Sequence, residues 1–224
     1  MNNKRHFDEE LSRLREKLLQ MAGRAEGLVG QATESLVNRN LELAREVIAR
    51  DREIDELEVA IEEEAVTLIA RHQPAAGDLR LLIGIIKINN DIERIGDHAV
   101  NIAQSAIELG QEPPLKPLID IPRMALLVTG MLKDSLDSFV QGNAEKARQV
   151  CVRDDQVDQL KDQIFRELLT YMIEKPQSIG RGMGLILVSR NLERIADLST
   201  NIAEEVIYIS QAKVIKHNRE ANDE

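Results

Sequence analysis

Apolar residues recur at three- and four-residue steps along most of this 224-residue chain, and the positions between them are largely charged. The pattern is clearest where Ile85, Ile88, Ile92, Ile95, Ala99, Ile102 and Ala106 form one stripe, which predicts a long amphipathic helix over 76–109. The same periodicity predicts helices over 8–38 and 41–71. Prolines interrupt it at few places. Pro113, Pro114, Pro117 and Pro122 crowd a stretch that reads as a linker, whereas Pro74 and Pro176 stand alone and read as turns. Asn40, and Asn143 after Gly142, stand where side-chain caps of a following helix belong. Gly23, Gly27 and Gly130 stand where helix backbones could approach closely, but the favoured reading is merely small packing residues. A helix of about 30 residues is ~45 Å long, so each half is expected to be an elongated three-helix bundle. The predicted fold is therefore all-α: two tandem, pseudo-symmetric three-helix bundles of six long helices, spanning 1–112 and 118–217.

The two halves also repeat in sequence. Leu192-Glu193-Arg194-Ile195-Ala196-Asp197, closed by Asn201-Ile202-Ala203, matches Ile92-Glu93-Arg94-Ile95-Gly96-Asp97 with Asn101-Ile102-Ala103 at an offset of 100 residues. Arg153-Asp154 and Val157-Asp158 match Arg50-Asp51 and Ile54-Asp55 at an offset of 103. Each half thus carries two acidic pairs, each pair one helical turn apart.

The turns bring these pairs together. Helices joined at Pro74 run antiparallel, and Asp51 and Asp97 are equally distant from that proline, as are Asp55 and Glu93. In the second half, Asp154 with Asp197 and Asp158 with Glu193 are both centred between Lys175 and Pro176. Packed helix axes lie ~8–10 Å apart, so four carboxylates can meet on the surface of each hairpin. Glu93, Asp97 and Asn101 point away from the isoleucine stripe, which makes the expected site an outer groove. In water a like-charged pair at ~4 Å costs only ~1 kcal/mol, but close convergence calls for protons or a cation. Oxygen donors of this kind suit Mg, Mn, Ca or iron, with Asn101 and Asn201 as further amide ligands. The competing reading is a solvated helix face on which Arg50, Arg52 and Arg94 pair with the acids.

Composition narrows the function. Aromatics make up 2% of residues, so the core must be aliphatic. A net charge of −10 with no basic stripe argues against a nucleic-acid partner. No apolar run approaches the length of a membrane span, so direct insertion is not expected. The single cysteine, Cys151, reads as a small buried hydrophobe and suits a reducing compartment. His6, His72, His98 and His217 show no metal-ligand spacing; none follows a glutamate by three residues, and His98 beside Asp97 reads as a surface residue. Phosphate-loop and nucleophile motifs are missing, which argues against an enzyme. The segment from His217 to Glu224 reads as disordered.

The doubled E-R-I-[GA]-D word, with D-x-x-x-D on each preceding helix, resembles the PhoU family of bacterial phosphate-transport regulators. Gln73-Pro74 followed by Asp78-Leu79-Arg80, and Leu169-Thr170-Tyr171-Met172, extend the likeness over about 7–213. The resemblance implies a non-enzymatic negative regulator of the phosphate-starvation response. It implies partners, too: a phosphate ABC importer ATPase and a sensor histidine kinase, met at the cytoplasmic face of the inner membrane. One multinuclear metal cluster per bundle follows from it, iron or zinc foremost, on Asp51, Asp55, Glu93 and Asp97, then Asp154, Asp158, Glu193 and Asp197. Elongated helical faces suit a homodimer. Two other classes compete, a carboxylate-bridged multinuclear metalloenzyme and a purely structural helical interaction protein.

Overall fold

A computed structural model describes residues 2–213. Among them are seven α-helices and no strand: α1 Asn2–Val37, α2 Leu41–Arg50, α3 Arg52–His72, α4 Ala76–Leu109, α5 Asp120–Gln141, α6 Ala144–Glu174 and α7 Ile179–Gln211, with a 3-10 turn at Pro176–Ser178. The first bundle packs α1, the α2–α3 rod and α4; the second packs α5, α6 and α7. The stretch beyond residue 213, which holds His217 and the expected disordered tail, lies outside the described residues.

Local chemistry sets the ends of the helices. Asn40 Oδ1 accepts the Leu43 amide at 3.1 Å, and Asn143 Oδ1 accepts the Glu145 and Lys146 amides at 3.1 Å each. Gly142 takes the left-handed conformation at φ 61° that closes α5. Gln73 does the same for α3 at φ 45°, without glycine. Pro122 belongs to the first turn of α5 rather than to the linker. Its missing N–H costs nothing there, because the first four amides of a helix have no intrahelical acceptor.

The single helix expected over 41–71 is interrupted at Asp51. The Ile54 amide reaches the Asp51 carbonyl at 2.7 Å and the Asp55 amide reaches the same oxygen at 3.2 Å, a locally tightened turn. No glycine or proline marks the spot.

The long helices α4 and α7 lie antiparallel along the junction of the bundles. A Cβ added at Gly84 would stand 2.5 Å from Ile209 Cδ1, and one at Gly184 would stand 3.0 Å from Leu109 Cδ2. Gly84 matches Gly184 and Leu109 matches Ile209 at the 100-residue offset, so the repeats face each other about a pseudo-two-fold axis, as subunits of a symmetric dimer would. Gly23 and Gly27 have nothing within 4 Å of an added Cβ, and Gly130 meets only Arg153 Nη1 at 3.9 Å, so none of the three admits a neighbouring helix backbone. Buried aliphatic residues of both bundles form one continuous core. Across the junction, Lys87 Nζ lies 3.2 Å from both carboxylate oxygens of Glu205, which is only 3% exposed. The linker is tied down by Arg39, which donates to the Gly110 and Glu112 carbonyls, and by Arg181, which donates to the Pro113 carbonyl.

Candidate metal centre

The interruption at Asp51 sets the geometry of the first hairpin. Asp51 is half-buried and lies directly on the α4 backbone: a Cβ on Gly96 would stand 2.8 Å from its Oδ1. Glycine at this position lets the α2–α3 rod bring a carboxylate up to α4. Burial first, then the Asp55 and Asp97 carboxylates, push the Asp51 carboxyl up to about 6. Glu93 is raised as well, by burial and then by Asp97, Asp55, Glu58 and Asp51. These mutual effects place the four predicted acids within one electrostatic neighbourhood. Asp55, Asp97 and Asn101 are exposed, so that neighbourhood opens outwards.

The basic neighbours do not neutralise it. Arg50 donates to Gln31 at 3.1 Å, Arg52 to Glu56 at 2.9 Å, and Arg94 pairs with Asp91 at 3.7 Å. Among the described residues, no lysine or arginine forms an ion pair with Asp51, Asp55, Glu93 or Asp97. The reading in which these arginines absorb the charge therefore fails for the first hairpin.

The second hairpin uses the same frame differently. Asp154, Asp197 and Asn201 line one open recess of about 250 Å³, together with Arg94 and Arg194. Lys161 Nζ lies 2.8 Å from Asp158 Oδ1 and 3.2 Å from Glu193 Oε1, and Arg194 Nη1 lies 3.3 Å from Asp197 Oδ2. Burial and Glu193 raise the Asp197 carboxyl against the opposing pull of Arg194. Ala196, fully buried, occupies the position of Gly96.

Among the described residues, no three His, Cys, Asp or Glu side chains stand in a ready-made ligating group. The acids share one electrostatic neighbourhood without converging into such a group. The first hairpin nevertheless fits a cation on two grounds. Its donors are all oxygens with no protein cation bonded to them, and Asn89 Oδ1, one turn before Glu93, is buried without a partner, as is Thr200 Oγ1 beside the recess of the second hairpin. The Asn89 amide donates to the Glu58 carbonyl at 2.9 Å, which ties α4 to α3.

Sequence reasoning missed Glu58 and Lys161, which occupy matching positions at the 103-residue offset. Extending that alignment one turn beyond each acidic pair would have found them. His98 is half-buried and its Nδ1 lies 2.9 Å from Asn191 Oδ1, so it joins the bundles rather than sitting free on the surface.

The family model described as the PhoU domain matches this sequence twice, over residues 18–106 and 121–206. The chain belongs to the PhoU family. A relative from Aquifex aeolicus (strain VF5), named phosphate-specific transport system accessory protein PhoU homolog, is 47% identical over 93% of this chain and 94% of its own length. A homolog of the same name from Rhizobium meliloti (strain 1021) is 38% identical over 97% of this chain and 92% of its own. The crystal structure of PhoU from Pseudomonas aeruginosa superposes with a TM-score of 0.90 at 39% identity, covering 92% of this chain and all of that one. The Streptococcus pneumoniae phosphate transport system regulatory protein PhoU gives 0.86 at 29% identity, covering 93% and 98%. The two-bundle architecture and the duplicated hairpin are thus features of the PhoU family.

Proposed function

We propose that this chain is a regulator of phosphate transport that performs no catalysis, an accessory protein that holds the phosphate-starvation response off when phosphate is plentiful. The observation that carries the reading is its alignment, over nearly the full length of both proteins, with relatives named as accessory proteins of the phosphate-specific transport system. Its partners in this reading are the importer ATPase and a sensor histidine kinase, engaged at the cytoplasmic face of the membrane. In this reading attachment runs through those partners, and no helix among the described residues is long and apolar enough to cross a bilayer.

The acidic hairpin serves as a metal-bearing docking face. Asp51, Asp55, Glu93 and Asp97 hold the metal, iron or zinc foremost, with Asn101 at the rim. A bound metal supplies positive charge and bridging coordination between α3 and α4. The protein's own contribution is placement: Gly96 admits Asp51 to the α4 surface, and the open groove leaves the bound charge available to another macromolecule. Docking through protein surface also suits two exposed apolar rows that flank the Pro176 turn, Phe165, Leu169 and Ile173 on α6 and Ile179, Met183 and Leu187 on α7.

The test couples metal content to partner capture. Full-length E93A/D97A protein should keep its helical circular dichroism, lose metal and capture less importer ATPase and kinase. Deleting the gene should switch on the starvation response in phosphate-replete medium. A response that stays off after deletion would overturn the regulatory reading.

A further inference from the structure

We propose that this chain carries its metal on the first hairpin alone, because the Lys161 ammonium holds the cation position of the second. The inference deepens the metal-binding reading above and rests on it. Lys161 bridges Asp158 on its own helix and Glu193 on α7, at 2.8 and 3.2 Å, as a cation shared between two helices would. Arg194 bonds Asp197, and Arg94 reaches across from the first bundle to line the recess of Asp154 and Asp197. Four carboxylates in the second hairpin thus meet two bonded cations and a third at the rim.

The first hairpin reverses each of these features. Glu58 stands where Lys161 does, making five carboxylates with Asp51, Asp55, Glu93 and Asp97, and none of the five is paired with a protein cation among the described residues. Gly96 leaves room for Asp51 on the α4 backbone, and Ala196 fills the matching space with a methyl group. A divalent cation entering the first hairpin neutralises charge that nothing else neutralises. In the second it must first expel an ammonium from two ion pairs.

Two substitutions, Glu58 for Lys161 and Gly96 for Ala196, therefore separate a metal site from a self-neutralised one, and exchanging them tests the inference. Chelator-stripped full-length protein would be titrated with Mn²⁺ by calorimetry, with bound metal counted by elemental analysis and the fold checked by circular dichroism. E58K/G96A should weaken tight binding at least about tenfold. K161E/A196G should double the Mn²⁺ bound per chain, and E93Q/D97N should remove tight binding altogether. Half of the tightly bound metal surviving E93Q/D97N, with K161E/A196G adding none, would overturn the inference and leave the metal-binding reading intact. Absence of tight Mn²⁺ binding in every protein, wild type included, would overturn both.

Discussion

Asp51 shows how one side chain can carry opposite signs in two states of the same protein. Its carboxyl rises on folding from an ordinary 3.8 to about 6, through burial and then Asp55 and Asp97. An acid whose pKa rises on folding favours the native state most below its unfolded value, and that contribution is lost as pH climbs through the folded one. Metal-free protein at pH 7 therefore keeps Asp51 ionised at a cost, about 1 kcal/mol once partial solvation is allowed for. In chelator, D51N should melt at a higher temperature than wild type at pH 7 and at the same temperature near pH 4. On the proposed metal-binding function, metal added at pH 7 should reverse the order, because the substitution removes a proposed ligand. Cys151 gives a second residue-scale prediction. Burial first, then Glu204, push its thiol up to about 11, so alkylation at pH 7 should be far slower than for a free cysteine until the protein is unfolded. The small-hydrophobe reading of this residue agrees with its half-buried place against the core.

Helices obeyed the rules that act within a few residues. Periodicity placed α4, and asparagine chemistry placed the starts of α2 and α6, because capping and amphipathicity are written in neighbouring side chains. The tightened turn at Asp51 could not be read this way. Nothing in the residues flanking it breaks a helix, and it lies where the rod packs over Gly96. The glycines of α1 make the opposite point. Gly23, Gly27 and Gly30 have open space where a Cβ would be, so they weaken the helix without admitting a neighbour. Replacing all three with alanine should add about 2 kcal/mol and raise the melting temperature by roughly 4–8 °C. The same change at Gly96 should leave the melting temperature little altered but displace Asp51, and metal affinity should fall.

For the molecule as a whole, the decisive feature is that the repeats share one core. Each bundle presents a glycine to the far end of the other's long helix, and the Lys87–Glu205 pair lies across the seam. Glu205 has no charged counterpart in the first repeat, where Ser105 stands, and Lys87 is matched by Leu187. Duplication thus left the axis intact while one side acquired a polar lock. Removing Lys87 strands a nearly buried carboxylate, so K87M should cost about 1–3 kcal/mol in urea unfolding at neutral pH. Because the core is continuous, both bundles should unfold in one transition, and circular dichroism and differential scanning calorimetry should report the same midpoint.

Sequence alone determined the helices (apart from the break at Asp51), the duplication, the turns and the pairing of acids across each hairpin. These follow from periodicity and from equal distances to a proline, which are properties of the chain itself. Tertiary structure decided which carboxylates remain without a counter-ion. That depends on where Lys161 and the arginines direct their charges, and long flexible side chains settle this only once three helices and a second bundle surround them. Two sets of four acids that look alike in the sequence are for this reason unlike in space, one without a paired lysine or arginine among the described residues and the other bonded to Lys161 and Arg194.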